Sequence, residues 1–352
     1  MTQMVASRLV RADRGDAGRR LDLVLTRHLT DVRAATRTRV QSWIANGRVT
    51  VNGIAVRRAA ARTALGDEVA VALPTDEATA RARQMGTERV GLDTHNILNV
   101  LHEDDHLLVL AKPAGIVVHA GYKHAEGTLM NALLWHARGW PAGQRPSIVG
   151  RLDKLTSGVV LVAKSAAIHA ALQRAAADTE KDYLAVVYGR VPARGRIDVR
   201  LGRSVSDRRK VVPAAASGAA SLTLFERLGR VAAPRAGLAL LRCRLVTGRM
   251  HQIRVHLAAR GWPLVGDPVY GEPRWSRIAD ASIAAAVQAF DRQALHAWRV
   301  ALTHPASGQR LVVDAPLPHD FDRLLAATGL QSWLTEGHYM SVTRRRPASE
   351  PV

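Results

Sequence analysis

The chain has 352 residues, and its 50 basic against 30 acidic side chains give a formal net charge of +20. Apolar residues make up 47%, too many for a disordered chain, and no apolar run approaches the roughly 18–20 residues that span a bilayer. A single cysteine, Cys243, excludes an internal disulfide and any multi-cysteine zinc or iron–sulfur site. The expectation is a soluble, cytoplasmic, two-domain protein with a polyanion rather than a membrane as partner.

Residues 1–16 hold Arg8, Arg11, Asp13 and Arg14, leave no room for a secretory apolar segment, and are expected to be a flexible N-terminus. Residues 17–74 form a small unit. Leu21, Val24, Leu25, His28 and Leu29 follow the stripe of an amphipathic helix, and a second helix from about Thr36 buries Val40, Trp43 and Ile44. Asn46-Gly47 stops that helix. Val49 and Val51 then alternate into an Asn52-Gly53 hairpin turn, and a further strand runs through Val69, Val71 and Leu73. This order resembles the small RNA-binding fold first seen in a small-subunit ribosomal protein, and the resemblance places Arg37 and Arg39 toward RNA phosphates. The polar stretch 75–94 is expected to be a linker.

From 95 to 330, strand-like runs such as Val159–Val162 and Leu238–Val246 alternate irregularly with helical ones such as Ala166–Ala177. That mixture indicates an α+β domain with a largely antiparallel mixed sheet, preceded by the small α/β module. Residues 331–352 are expected to be a basic tail.

His102-Glu103-Asp104-Asp105-His106 matches H-E-x-x-H literally. Zinc binding by that motif requires a helix, so that both histidines share one face. Here the flanks Ile97–Leu101 and Leu107–Leu110 are strand-like and Asp104-Asp105 is turn chemistry, so a polar hairpin is expected and no metal site. Neither a Walker loop nor a dinucleotide glycine fingerprint is present, and no cofactor is expected.

Three other stretches carry chemistry. Gly150 to Gly158 sets Asp153, flanked by Arg151 and Lys154, in a polar loop before an apolar strand, and an ionised carboxylate there can act as a nucleophile. Thr247 to Leu257 packs Arg249, His251, Gln252, Arg254 and His256 into a strand-to-helix turn able to aim a guanidinium at an acid or phosphate. Lys181 to Gly189 is an alternating strand with Tyr183, Ala185 and Val187 on one face.

In order, Lys112-Pro113-Ala114-Gly115, Arg151-Leu152-Asp153 with Thr156-Ser157-Gly158, Lys181-x-Tyr183-Leu184-Ala185, Thr247-Gly248-Arg249 with His251-Gln252-Ile253-Arg254, and Gly266-Asp267-Pro268-Val269-Tyr270-Gly271 resemble the RluA/RluD-type pseudouridine synthases. Arg292–Ala297 with His304-Pro305 is similar to the RluD-like branch. The resemblance implies cofactor-free isomerisation of selected uridines in structured RNA, with the target base flipped out of the stack. It implies Asp153 as the nucleophile, at either the sugar C1′ or uracil C6. It also implies Tyr183 as packing partner and general base, Arg249 as the partner of Asp153, and Arg151 as the group that fills the gap left by the flipped base. Lys154, His251 and Arg254 are expected to contact RNA. Gly150, Leu155 and Met250 depart from the common histidine, aspartate and threonine, which leaves the loop's hydrogen bonding and the choice of RNA site open.

The implied partner is large-subunit ribosomal RNA or a ribosome-assembly intermediate, acted on by a monomer. A transfer-RNA enzyme and a non-catalytic assembly factor are the alternatives.

Overall fold

The computed structural model describes residues 7–29, 32, 35, 37–73, 98–119, 127–207, 210–214, 217–231, 237–271 and 274–332. The expected linker and residues 333–352 of the expected basic tail lie outside the described residues.

Two separate sheets organise these residues. The smaller contains β1 (Ser7–Arg11), β2 (Val49–Val51), β3 (Ile54–Ala55) and β4 (Glu68–Ala72) in the order β1-β4-β2-β3. Helices α1 (Leu21–His28) and α2 (Arg37–Ala45) pack on it, burying Leu21, Leu25, Val40, Trp43 and Ile44 against Val10, Val49, Val69 and Val71. The hairpin between β2 and β3 turns through Asn52 at φ 51° and Gly53 at φ 80°, the left-handed pair that a tight two-residue connection requires. Residues 7–11, expected to be flexible, are instead an edge strand. Val10 pairs with Val69 and buries its side chain in the small core, which together with the five-residue ladder to β4 works against the cost of ordering the strand.

The larger sheet has ten strands. Its elements, with the helices between them, are β5 (Asn99–Glu103), β6 (Leu107–Lys112), α3 (Leu129–His136), β7 (Ser147–Val149), β8 (Ser157–Ala163), α4 (Ala166–Arg174), β9 (Glu180–Tyr188) and β10 (Arg194–Asp198). A short hairpin of β11 (Leu201–Arg203) and β12 (Val211–Pro213) stands apart from the sheet. Then come β13 (Leu222–Val231), β14 (Leu238–Leu245), α5 (Gln252–Ala259), α6 (Ala281–Gln288), β15 (Leu295–Thr303), β16 (Arg310–Asp314) and α7 (His319–Ala327). The main order is β10-β13-β14-β9-β15-β8-β6-β5, with β7 beside β8 and β16 beside β15. Every pairing is antiparallel except β15 with β8.

Both faces of the sheet's centre are covered, so β9 is buried from Asp182 to Tyr188. Leu184, Val186 and Tyr188 face α6 and α7, while Tyr183, Ala185 and Val187 face Ile253 and Leu257 of α5. Gly158 is dictated by the parallel contact. A Cβ there would lie 2.1 Å from the Ala297 carbonyl oxygen, and its φ of +113° is closed to other residues.

His102 and His106 sit on opposite sides of the β5–β6 turn. Asp104 closes that turn by accepting from the His106 and Leu107 amides at 2.7 Å, and Glu103 is committed to His136, Trp140 and Lys164. This is the polar hairpin expected from the flanking strands.

Candidate active site

The loop from Asp153 to Ser157 is fixed by groups remote in sequence. Lys112, buried at the end of β6, donates from Nζ to the carbonyls of Pro113, Ile116 and Lys154 at 2.8, 3.0 and 3.1 Å. Burial, reinforced by the positive charge of Arg292 and opposed by Asp153, pulls its pKa down to about 7. Arg292 donates to the Leu155 carbonyl at 3.2 Å, Gln293 to the Thr156 hydroxyl at 3.1 Å, and His296 Nδ1 lies 3.0 Å from the Ser157 hydroxyl. Asp153 is therefore carried on a loop clamped from β6 and from the start of β15.

The carboxylate itself faces α5. Arg254 donates from Nη1 to Asp153 Oδ2 at 2.9 Å, and from Nε and Nη2 to both oxygens of Asp267 at 2.8 Å. The Arg254 and Asp267 side chains are 5% and 1% exposed, whereas Asp153 keeps 23% of its surface open. One guanidinium thus neutralises two acids, of which only Asp153 reaches solvent. Burial alone would raise the pKa of Asp267, but hydrogen bonding and charge from Arg254 and the amides of Tyr270 and Val269 hold it below the usual carboxylate range. His251 Nε2 lies 3.7 Å from Asp153 Oδ1.

This arrangement corrects the sequence reading at three positions. Arg249, expected to pair with Asp153, is exposed and donates to the Ala220 carbonyl at 3.2 Å. It lies before the helix, whereas Arg254 lies within α5 and points into the core. Arg254 and His251, expected on the RNA surface, are instead engaged at the carboxylate. On α5 every residue from Gln252 to Leu257 is buried, Arg254 among them. A charged residue in that place requires an internal partner, and Asp267 provides one.

Tyr183 on β9 is buried, and burial, with the charge of Asp153 added, pushes its phenol pKa up. Burial thus favours the neutral phenol, so a base role would have the phenol give up its proton against that shift. Beside it, Arg151, Leu152, Lys181, Tyr183, Ala297 and Arg299 line a shallow cleft to which Asp153 and Arg254 do not contribute. Burial draws the Lys181 pKa down, and among the described residues no carboxylate pairs with it. Arg151 and Lys154 are exposed beside Asp153. On the small sheet, Arg37 and Arg39 are exposed on α2, with Arg37 Nε 3.2 Å from Asp22. Asp22 is held down to about 2 against the upward push of burial by hydrogen bonds from Arg20, Gln41 and Arg37.

A buried arginine shared between two acids, one of them open to solvent, is where comparison with known proteins becomes informative. The family model described as RNA pseudouridylate synthase matches residues 106–259, a span that holds Asp153, Tyr183 and Arg254. Over 316 residues the chain is 39% identical to the ribosomal large subunit pseudouridine synthase D of Xanthomonas campestris pv. campestris, covering 88% of this chain and 89% of that protein. This chain belongs to the RluA/RluD-type pseudouridine synthases. The protein of the same name from Pseudomonas aeruginosa is 37% identical over 312 residues, covering 88% of this chain and 92% of its own. Among solved structures, the human RNA pseudouridylate synthase domain containing 4 has a TM-score of 0.52 at 24% identity, covering 66% of this chain and 93% of that one, and shares the fold. The enzyme is an isomerase that acts on RNA, as the ordered motifs imply.

Proposed function

We propose that Asp153 is the nucleophile with which this enzyme converts uridines of large-subunit ribosomal RNA to pseudouridine. In that isomerisation the N1–C1′ bond breaks, C5 bonds to C1′, the proton at C5 departs and N1 is protonated. With Oδ2 committed to Arg254, Oδ1 is the oxygen turned toward the reacting carbon, whether C1′ or C6. Tyr183, close enough to Asp153 to feel its charge, packs against the flipped uracil, and the exposed Arg151 stacks where the base has left. Lys181, in a cleft with Arg151 and Tyr183, supplies positive charge for a backbone phosphate. The small module, with Arg37 and Arg39 exposed, adds a second phosphate-binding surface.

The observation that carries this reading is the single half-open carboxylate anchored by Arg254. Asp153→Ala is expected to abolish pseudouridine formation while leaving RNA affinity nearly unchanged. Retained activity would refute the nucleophile, and a chain that binds RNA without ever modifying it would be an assembly factor.

The substrate class is supported by the two synthases named for the large ribosomal subunit, each aligned along most of its length. Mapping pseudouridine across all RNAs of a host with and without the chain tests it, with sites confined to transfer RNA as the refuting result. We further infer a cytoplasmic monomer, which cell fractionation and light scattering check.

A further inference from the structure

The hairpin β11–β12 is linked to the nucleophile by a chain of polar contacts. The Val211 amide of β12 donates to the Tyr270 hydroxyl at 2.8 Å. That leaves the phenolic proton for His251 Nδ1, also 2.8 Å away. Burial pulls the His251 pKa down despite the opposing charge of Asp153, so the imidazole is neutral and its remaining proton sits on Nε2. Nε2 in turn faces Asp153 Oδ1 at 3.7 Å, a gap of the kind that tightens when substrate fills a site.

Three further observations say that this geometry is built. His251 adopts a φ of 55°, a costly conformation for a residue other than glycine, which persists where surrounding contacts enforce it. Tyr270 is held from behind, since its amide donates to Asp267 Oδ1 at 3.0 Å and the Arg254 guanidinium lies 5.0 Å from its ring centre. The hairpin is seated on α5 through Leu201, Val211 and Val255, with Tyr270 packed against them. Arg254 and His251 therefore approach the two oxygens of one carboxylate from the same helix.

We propose that Tyr270 and His251 are positioning residues that tie the hairpin β11–β12 to Asp153 and aim its Oδ1 at the flipped nucleotide. The hairpin carries exposed Arg203 and Lys210, so RNA seated on it acts on the same hydrogen-bonded link. The inference rests on Asp153 being the nucleophile.

The test is single-turnover pseudouridine formation by the full chain on total RNA from cells that lack it, a probe that holds the target whichever RNA it is. Tyr270→Phe removes one hydroxyl, and His251→Asn retains a residue that tolerates positive φ. Each is expected to slow the single-turnover rate about tenfold with unchanged half-saturation in RNA, and the double variant to be no slower than either alone. Multiplying losses in the double variant would overturn the link. So would a raised half-saturation with an unchanged rate, which would make His251 an RNA contact only. Asp153→Ala, run alongside, separates the two readings: activity retained there overturns the nucleophile itself, whereas activity lost there with multiplying losses at 251 and 270 overturns the link alone.

Discussion

Replacing Arg254 by lysine separates its two duties. The guanidinium makes three charge-assisted hydrogen bonds, two to Asp267 and one to Asp153. A lysine offers one nitrogen on a shorter reach and cannot span both acids. It goes to Asp267, whose side chain is 1% exposed, because an uncompensated charge there costs most, while Asp153 at 23% can recruit water. The nucleophile then loses one hydrogen bond to a charged group, on the order of 1.5–3 kcal/mol. If that bond is needed in the transition state, the rate falls roughly 10- to 150-fold. Arg254→Lys should therefore fold, bind RNA with near-normal affinity and react slowly, as read by single-turnover kinetics, filter binding and thermal melting. Arg254→Ala leaves two acids without their cation and should lose about 3–5 kcal/mol of stability. A wild-type rate for Arg254→Lys would refute this reasoning. So would Arg249→Ala abolishing turnover at unchanged RNA affinity, since that guanidinium donates to the Ala220 carbonyl rather than to the carboxylate.

Lys112 gives a pH signature. Its folded pKa of about 7 lies below the ordinary lysine value, so between roughly pH 7 and 10 the unfolded chain holds a proton that the folded chain has released. Stability relative to Lys112→Met should rise with pH in that window by about 1.4 kcal/mol per unit, and a flat difference in denaturant titrations would contradict the burial argument. Gly158→Ala should prevent folding of the catalytic sheet, because the new methyl collides with the Ala297 carbonyl in a backbone conformation closed to alanine; a melting temperature within a few degrees of wild type would contradict the close contact. Arg39→Ala should weaken RNA binding and lower the slope of log affinity against log salt by about 0.7–0.9. Arg37→Ala should also lower the melting temperature, because Arg37 helps neutralise the buried Asp22.

What the sequence made legible was local. Asn52-Gly53 named its turn, the alternation of Tyr183, Ala185 and Val187 named the inner face of β9, and the strand flanks of His102–His106 excluded a helix. Asp153 was legible as an acid in a loop before an apolar strand. The arginine that serves it was not, because Thr247–His256 is crowded with polar groups and the choice depends on where the helix begins. His251 at positive φ sets that start, and only then does Arg254 fall inside the buried segment Gln252–Leu257 while Arg249 stays outside it. The edge strand β1 was missed for a related reason: five residues with two arginines carry little pattern of their own and become a strand only against β4. The roles of Lys112, Arg292 and Gln293 in holding the loop depend on contacts across 42 and 137 residues of sequence, which no local pattern encodes.

β15 occupies the middle of the large sheet, between β9 and β8, yet it follows both of them in the sequence by more than a hundred residues. Without it, β9 and β8 would each lack the same neighbour and leave an apolar edge unpaired. A polypeptide halted before residue 295 would present both edges at once and would be prone to stick to its neighbours. Arg292 and His296, which hold the catalytic loop, arrive with the same strand, so the loop that carries Asp153 gains these contacts only once β15 is present.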